Sequence, residues 1–231
     1  MSHASPLPAA IDTSAFGHVT DWVFDLDNTL YPPEAALFAQ IEVKMADYVM
    51  RTLKVDAARA NHLRSHYWAL YGTTLAGLMH EHGIDPVPFL HEVHDISFDA
   101  LLPDPALAAG IRALPGRKII YTNGSAPYAE QVLAARGLSG LFDGIYGVEH
   151  ADFHPKPRAE AFEMVFAKAG ITPAKGAMFE DDARNLEVPH GLGMQTVHVA
   201  PEALEADHIG HHTNDLSGFL TALAKAGGSG L

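Results

Sequence analysis

The sequence predicts an α/β fold: a doubly wound, mostly parallel sheet carrying helices, with an all-helical segment inserted after the first strand. Three observations lead there. Short apolar runs alternate with helical stretches along most of the 231 residues, the pattern of βαβ units. The long stretch 33–99 breaks that alternation and has no strand pattern. Acidic residues recur where the apolar runs end, and sheets of this kind bind ligands beyond the carboxyl ends of their strands.

Val19 to Asp25 is the first run, apolar and β-branched and ending in acids, and it reads as a buried strand. From Pro33 to Phe98 the apolar residues fall at helical spacing instead: Leu37, Ile41, Met45 and Tyr48, then Leu63, Tyr67 and Leu70. Thr73 is placed to cap a helix ending near Gly83, and Asp85-Pro86 opens a further short one. The chain re-enters the core near Leu102-Pro103-Asp104, where Asp104-Pro105 supplies an N-cap and a proline at the first helical position. Arg117 to Thr122 follows Pro115-Gly116 and reads as the second strand. Ala126-Pro127 and Thr172-Pro173 mark further helix starts, and Gly137 and Gly170 sit where helices end. Gly144 to Val148, Gly176 to Glu180 and Met194 to Val199 complete the strands. The expected organisation is a core over 18–32 and 100–225, a helical lid or cap over 33–99, and flexible ends at 1–17 and 226–231.

Composition excludes several function classes. Hydrophobic residues make up 48%, enough for a core and too much for a disordered polyelectrolyte. There is no cysteine, hence no thiol nucleophile, disulfide scaffold or cysteine zinc site. That fits a reducing compartment, and a cytoplasmic location is expected. A net charge of −13 disfavours nucleic acid polymers and anionic membranes as partners. No apolar run approaches the ~18 residues of a membrane span, and no signal peptide is seen. Of the 15 histidines, His62, His66, His80, His82 and His91 fall in the inserted segment and His208, His211 and His212 near the end. Their spacing matches no metal motif, and they read as solvated helix faces. Tyr67, Trp68 and Tyr71 read as packing residues, with a base stacking near Tyr71 as the alternative.

Four motifs carry the chemistry. Asp25 and Asp27 in Phe24-Asp25-Leu26-Asp27-Asn28-Thr29 have the strand spacing of two that lets both face one way. Thr122-Asn123-Gly124 ends the second strand with a hydroxyl and turn N–H groups, a phosphate-sized donor set. Lys156 stands between prolines before a helix, and Glu180-Asp181-Asp182 ends another strand. Five carboxylates facing one lysine raise one another's pKa unless a cation sits among them, and hard oxygen donors suit Mg²⁺. Asp25 then reads as a carboxylate nucleophile, and Asp27 as the group that protonates the leaving oxygen and deprotonates water. Thr122, Lys156 and Mg²⁺ would neutralise the phosphoryl oxygens. Asp181 would ligate the metal with Asp25 and the Asp27 carbonyl. Glu180 or Asp182 would add a direct or water-mediated contact, with Asp182 favoured instead for capping the next helix. His94 is placed to face the cleft near the return to the core.

This ordered set resembles the haloacid dehalogenase superfamily of phosphotransferases over about residues 19 to 200. The resemblance implies a Rossmann-like core, a helical cap over 33–99, and a Mg²⁺-dependent phosphatase with Asp25 as nucleophile. Asp27 matters to it, because the dehalogenases lack this second acid and the phosphatases keep it. The strings Asp25-Leu26-Asp27-Asn28-Thr29-Leu30-Tyr31-Pro32, Tyr71-Gly72-Thr73-Thr74-Leu75-Ala76-Gly77-Leu78, Val93-His94-Asp95-Ile96 and Leu114-Pro115-Gly116-Arg117-Lys118 are similar to the pyrimidine 5′-nucleotidase branch. That branch implies a nucleoside monophosphate such as UMP or CMP as substrate. Tyr71, Thr73 and His94 are the substrate-side candidates of the inserted segment, and a monomer or homodimer is expected. Two alternatives stand beside it: a phosphatase or phosphomutase for another small metabolite, such as a sugar phosphate or phosphoglycolate, and a receiver-like phospho-acceptor module. Receivers are much shorter, and Asp27 would promote the hydrolysis a switch avoids.

Overall fold

The computed structural model describes residues 13–227. Six strands, β1 (Asp21–Phe24), β2 (Arg117–Tyr121), β3 (Gly144–Tyr146), β4 (Gly176–Glu180), β5 (Gln195–Val199) and β6 (His211–Thr213), form one sheet in the order β3-β2-β1-β4-β5-β6. Every neighbouring pair is parallel. The chain builds outward from β1 to β3 on one side, then returns to lay β4 to β6 on the other. The switch point therefore lies between β1 and β4, at their carboxyl ends, and a crevice opens there.

The strand side chains alternate between two apolar layers. Trp22, Phe24, Ile120 and Phe179 face one cluster, with Leu107 and Ile111 of α5 (Pro105–Ala113), Val132 of α6 (Ala126–Ala135) and Phe219 of α9 (Leu216–Gly227). Val23, Ile119, Tyr121 and Met178 face the other, with Phe162, Val165 and Phe166 of α7 (Ala159–Ala169). Phe24 and Phe179 stack at 4.6 Å across β1 and β4, and burying each such ring stabilises by about 1.5–3 kcal/mol. The register sets Phe24 opposite both Ile120 and Phe179, so Asp25, Tyr121 and Glu180 stand level at the sheet edge.

Four helices lie between β1 and α5: α1 (Leu37–Leu53), α2 (Ala57–Tyr71), α3 (Thr74–His82) and α4 (Pro86–Val93). Their starts follow the capping chemistry: Asp56, Thr73 and Asp85 each accept a backbone N–H of the first turn. Leu37 and Ile41 of α1, Tyr67 of α2 and Phe89 of α4 are buried in the same cluster as Phe24. Leu70, expected on the buried stripe of α2, is 59% exposed; at 100° per residue it falls on the margin of the stripe set by Ala60, Leu63 and Tyr67. The fourth gap between strands, from β4 to β5, holds only a 3-10 turn, Ala183–Leu186, and the short α8 (Glu187–Gly191). Thr172-Pro173 opens a 3-10 turn rather than a helix, without a side-chain cap.

Two further differences from the sequence reading are informative. β6 was not foreseen, because His-His-Thr carries no apolar run and is held as a strand by pairing to β5. His211 and His212 are therefore strand residues, not helix-face ones; the His212 Nε2 donates to Ala200 O at 2.9 Å. The arm expected to be loose up to residue 17 is ordered from Thr13, where a 3-10 turn buries Phe16 against Trp22 and Phe219. Residues 1–12 and 228–231 of the expected flexible ends lie outside the described residues. No helix among the described residues is long and apolar enough to cross a membrane.

Candidate active site

A cleft of about 710 Å³ opens at the switch point and is lined by Asp25, Asp27, Asn123, Lys156, Glu180 and Asp181, among others. At its floor, Asp25 leaves β1 with its N–H bonded to Phe179 O at 2.9 Å, so its position is fixed by the sheet. Leu26 is fully buried, and the chain then turns, with Asn28 in the left-handed region at φ 57°. That turn presents Asp27 to the same cleft as Asp25.

Lys156 is the hub. It is 1% exposed, and its Nζ donates to Asp25 Oδ1 at 2.7 Å, Glu180 Oε2 at 2.6 Å and Tyr121 O at 3.0 Å. Burial alone would favour the neutral amine, but the Asp25 and Glu180 carboxylates outweigh it and hold the ammonium protonated. Asn123 fixes the loop that delivers it: Asn123 Nδ2 donates to Lys156 O at 3.1 Å, and Lys156 N donates to Asn123 Oδ1 at 2.8 Å. Thr122 is fully buried and its Oγ1 accepts Gly124 N–H at 2.9 Å, which leaves its own proton to donate.

The remaining acids divide by partner. Glu180 accepts Lys156 on Oε2 and Asp182 N–H on Oε1, so both its oxygens are engaged. Asp182 is held by Arg184, whose Nη2 donates to Oδ2 at 2.6 Å, and it also caps the following turn. Asp181 accepts a 3.3 Å contact from Asn28 Nδ2 and lies against the Glu180 carboxyl, with no ion pair among the described residues. Burial and the Asp25 charge push the Asp181 carboxyl up to about 7. Burial and the Asp25 charge push Asp27 up to about 6, against hydrogen bonds from Tyr31 and Tyr128 that favour its ionised form. Burial raises Glu180 as well. These shifts mark negative charge that Lys156 alone does not balance.

That imbalance tests the fit of a divalent cation. Among the described residues, one group of three or more acidic or histidine side chains converges: Asp25, Glu180 and Asp181 offer oxygens within 4.8 Å of one another. Buried hard oxygen donors at this separation fit Mg²⁺. With both Glu180 oxygens engaged, Asp25 and Asp181 are the freer donors.

On the far side of the cleft the inserted helices supply an apolar wall that includes Phe38, Ile41 and Met45 of α1 and Phe89 and Leu90 of α4. Thr73 lines the cleft but its hydroxyl caps α3, accepting Ala76 N–H at 3.1 Å. His94, at the end of α4, lines it too, stacked on Tyr128 at 4.2 Å. Tyr71 does not line the cleft: its hydroxyl is bonded to Glu81 and its ring lies 5.0 Å from His80. Its neighbour Trp68, read as a packing residue, is instead 50% exposed at the cleft with the Arg184 guanidinium 3.7 Å over its ring. Three residues along α2 separate a ring aimed at the cleft from one aimed away. His198 was missed as well; it sits on β5 with Nε2 donating to Asp181 O at 2.9 Å. Only its place at a strand end hinted at it.

A parallel sheet with a carboxylate pair, a buried lysine and a converging acidic group at its switch point is the architecture of a hydrolase of the α/β class. The family model described as haloacid dehalogenase-like hydrolase matches residues 23–193, and the chain belongs to that family. It is 27% identical over 191 residues to Phosphate metabolism protein 8 of Saccharomyces cerevisiae, covering 76% of this chain and 59% of that protein. It is 28% identical over 109 residues to the fructose-1-phosphate phosphatase YqaB of Escherichia coli, covering 46% of this chain and 57% of that one. The chain thus spans less than two thirds of the length of either relative. Among solved structures, a 2-haloacid dehalogenase from Pseudomonas syringae superposes with a TM-score of 0.56 at 19% identity, covering 90% of this chain and 99% of that chain, a likeness of fold.

Proposed function

We propose that this chain is a Mg²⁺-dependent phosphomonoester hydrolase of small metabolites working through an aspartyl-phosphate on Asp25, with a nucleoside monophosphate, as in the pyrimidine 5′-nucleotidase branch, as its substrate. The observation that carries the reading is Asp27: a second carboxyl beside Asp25 whose pKa is pushed up to about 6. A carboxyl in that range gives up and takes back a proton near neutrality. A dehalogenation has no leaving oxygen to protonate.

In the first half-reaction, Asp25 forms a bond to phosphorus as the ester P–O bond breaks, and Asp27 gives its proton to the departing alcohol. In the second, Asp27 takes a proton from water as the water oxygen bonds to phosphorus and the Asp25–phosphorus bond breaks. Lys156 has all three N–H donors engaged, so it acts through its charge and by anchoring one oxygen of Asp25. The Thr122 hydroxyl, which accepts Gly124 N–H and keeps its own proton, and the turn N–H of Asn123 receive phosphoryl oxygens. Asp25 and Asp181, with the Asp27 carbonyl, would hold Mg²⁺, which would supply neutralising charge to the phosphoryl oxygens. Glu180 stays behind Lys156 as its anchor. Segment 33–99 serves as a cap over the site, its apolar wall receiving the organic part of the substrate. The absence of cysteine supports a cytoplasmic setting.

Phosphate release from UMP, CMP, AMP, GMP, fructose 1-phosphate and p-nitrophenyl phosphate, with Mg²⁺ and with EDTA, tests the reading. Turnover of nucleoside monophosphates only with Mg²⁺ is expected, and Asp25→Asn should lower it about 1,000-fold or more. A preference for fructose 1-phosphate would move the substrate to the sugar phosphates while keeping the reaction. Turnover of no ester would end the phosphatase reading.

A further inference from the structure

Two buried tyrosines hold Asp27. Tyr31 Oη donates to Asp27 Oδ1 at 2.6 Å, and Tyr128 Oη donates to the same oxygen at 2.7 Å. The two hydroxyls lie 3.4 Å apart, and both tyrosines are nearly inaccessible to solvent. They come from separate places. Tyr31 follows the turn after β1, and Tyr128 lies in the first turn of α6.

An oxygen that accepts two hydrogen bonds has both lone pairs committed. A proton on the Asp27 carboxyl therefore resides on Oδ2. The same pair of bonds stops the carboxyl from rotating about its Cβ–Cγ bond. Tyr128 is itself clamped: His94 of the inserted segment stacks on it with ring planes 8° apart, and the His94 Nδ1 lies 3.1 Å from Ser125 Oγ, the N-cap of α6.

We infer that Tyr31 and Tyr128 are positioning residues for Asp27, fixing its carboxyl so that Oδ2 alone meets the leaving oxygen of the substrate. The inference rests on the phosphomonoesterase reading above. Orientation of this kind counts because a proton donor acts only within hydrogen-bond reach of the atom it protonates. The proton passes from Oδ2 to the ester oxygen as the P–O bond breaks and the Asp25–phosphorus bond forms. How much the reaction needs that proton depends on the leaving group. A nucleoside alkoxide needs it, whereas p-nitrophenolate leaves without it.

The test compares Tyr31→Phe, Tyr128→Phe and the double variant with the wild type on two substrates in the same protein sample. These are p-nitrophenyl phosphate and UMP, or the best alkyl ester of the panel above. The value of kcat/KM covers the steps up to departure of the alcohol and excludes the later attack of water. The ratio of the two kcat/KM values is independent of how much of each variant is folded. For the alkyl ester, kcat/KM should fall about tenfold or more in each single variant, while that for p-nitrophenyl phosphate changes less than about threefold. An equal fall on both substrates, or no fall on either, overturns the positioning role. A wild type that hydrolyses neither ester fails at the earlier step and removes this inference with it, an outcome visible before any variant is made.

Discussion

Lys156 commits every donor it has to the protein, and that shapes what the neighbouring side chains are left to do. Among the described residues, Asp25 keeps Oδ2 free for attack, and Asp181 has the neutral Asn28 amide as donor and no ion pair. His94 shows a second consequence of burial. Burial lowers its pKa from 6.5 to about 4, so it is neutral in the folded chain at physiological pH. A base that binds its proton less readily when folded gives stability that is full above about pH 6.5 and is lost as the pH falls towards 4. The size of that loss is about 3 kcal/mol. The raised Asp27 and Asp181 carboxyls work in the opposite direction, since they bind protons more readily in the folded chain. Thermal melts of the wild type and His94→Gln from pH 7.5 to 4.5 separate the two: the wild type should lose stability relative to the variant as the pH drops. At this scale the sequence was legible where charge marks a strand end. Asp25, Asp27, Lys156 and the Glu180-Asp181-Asp182 run were singled out that way, and the structure brings them to one cleft. Tyr128 and Trp68 gave no such mark, because an aromatic ring on a helix reads the same whether it packs or lines a cavity. The sequence therefore points to Tyr71 at a cleft that Trp68 lines.

The helices were legible by their ends more than by their faces. Thr73, Asp85 and Asp104 cap where their chemistry places them, since a side-chain oxygen before an apolar repeat has one local use. β6 had no comparable local signal; its strand form depends on the neighbour it pairs with. The contact between α2 and α3 depends on Gly77, where a Cβ would run into the ring of Tyr67. Tyr67 is 4% exposed and bonded through its hydroxyl to His82 Nε2 at 2.7 Å, so it has little room to yield. Gly77→Ala should therefore destabilise by about 1–3 kcal/mol despite its better helix propensity, as read from urea unfolding. A neutral or stabilising result would show that α2 and α3 can separate at no cost.

For the whole molecule, the net charge of −13 is partly concentrated at one sheet edge, where Asp25, Asp27, Glu180 and Asp181 share a single ammonium. A divalent cation that binds there only in the folded state stabilises the chain, and more so the further its concentration exceeds the Kd. Millimolar Mg²⁺ should raise the Tm over that in EDTA, and Asp181→Asn should remove most of the rise. A rise of the same size in the variant would place the cation elsewhere. The two-sided core follows from apolar runs of the right length, whereas the strand order and β6 had no such signal. The relation between the inserted helices and the sheet had none either, because it is carried by single contacts such as Arg184 over Trp68.

That contact also gives the chain an optical probe of its own. There are two tryptophans in the sequence. Trp22 is 2% exposed in the core, and Trp68 stands half exposed at the cleft beneath a guanidinium. Emission from the first reports on whether the chain is folded. Emission from the second, and its access to a dissolved quencher, reports on how the inserted helices sit against the sheet, and Trp22→Phe isolates that signal without adding a label.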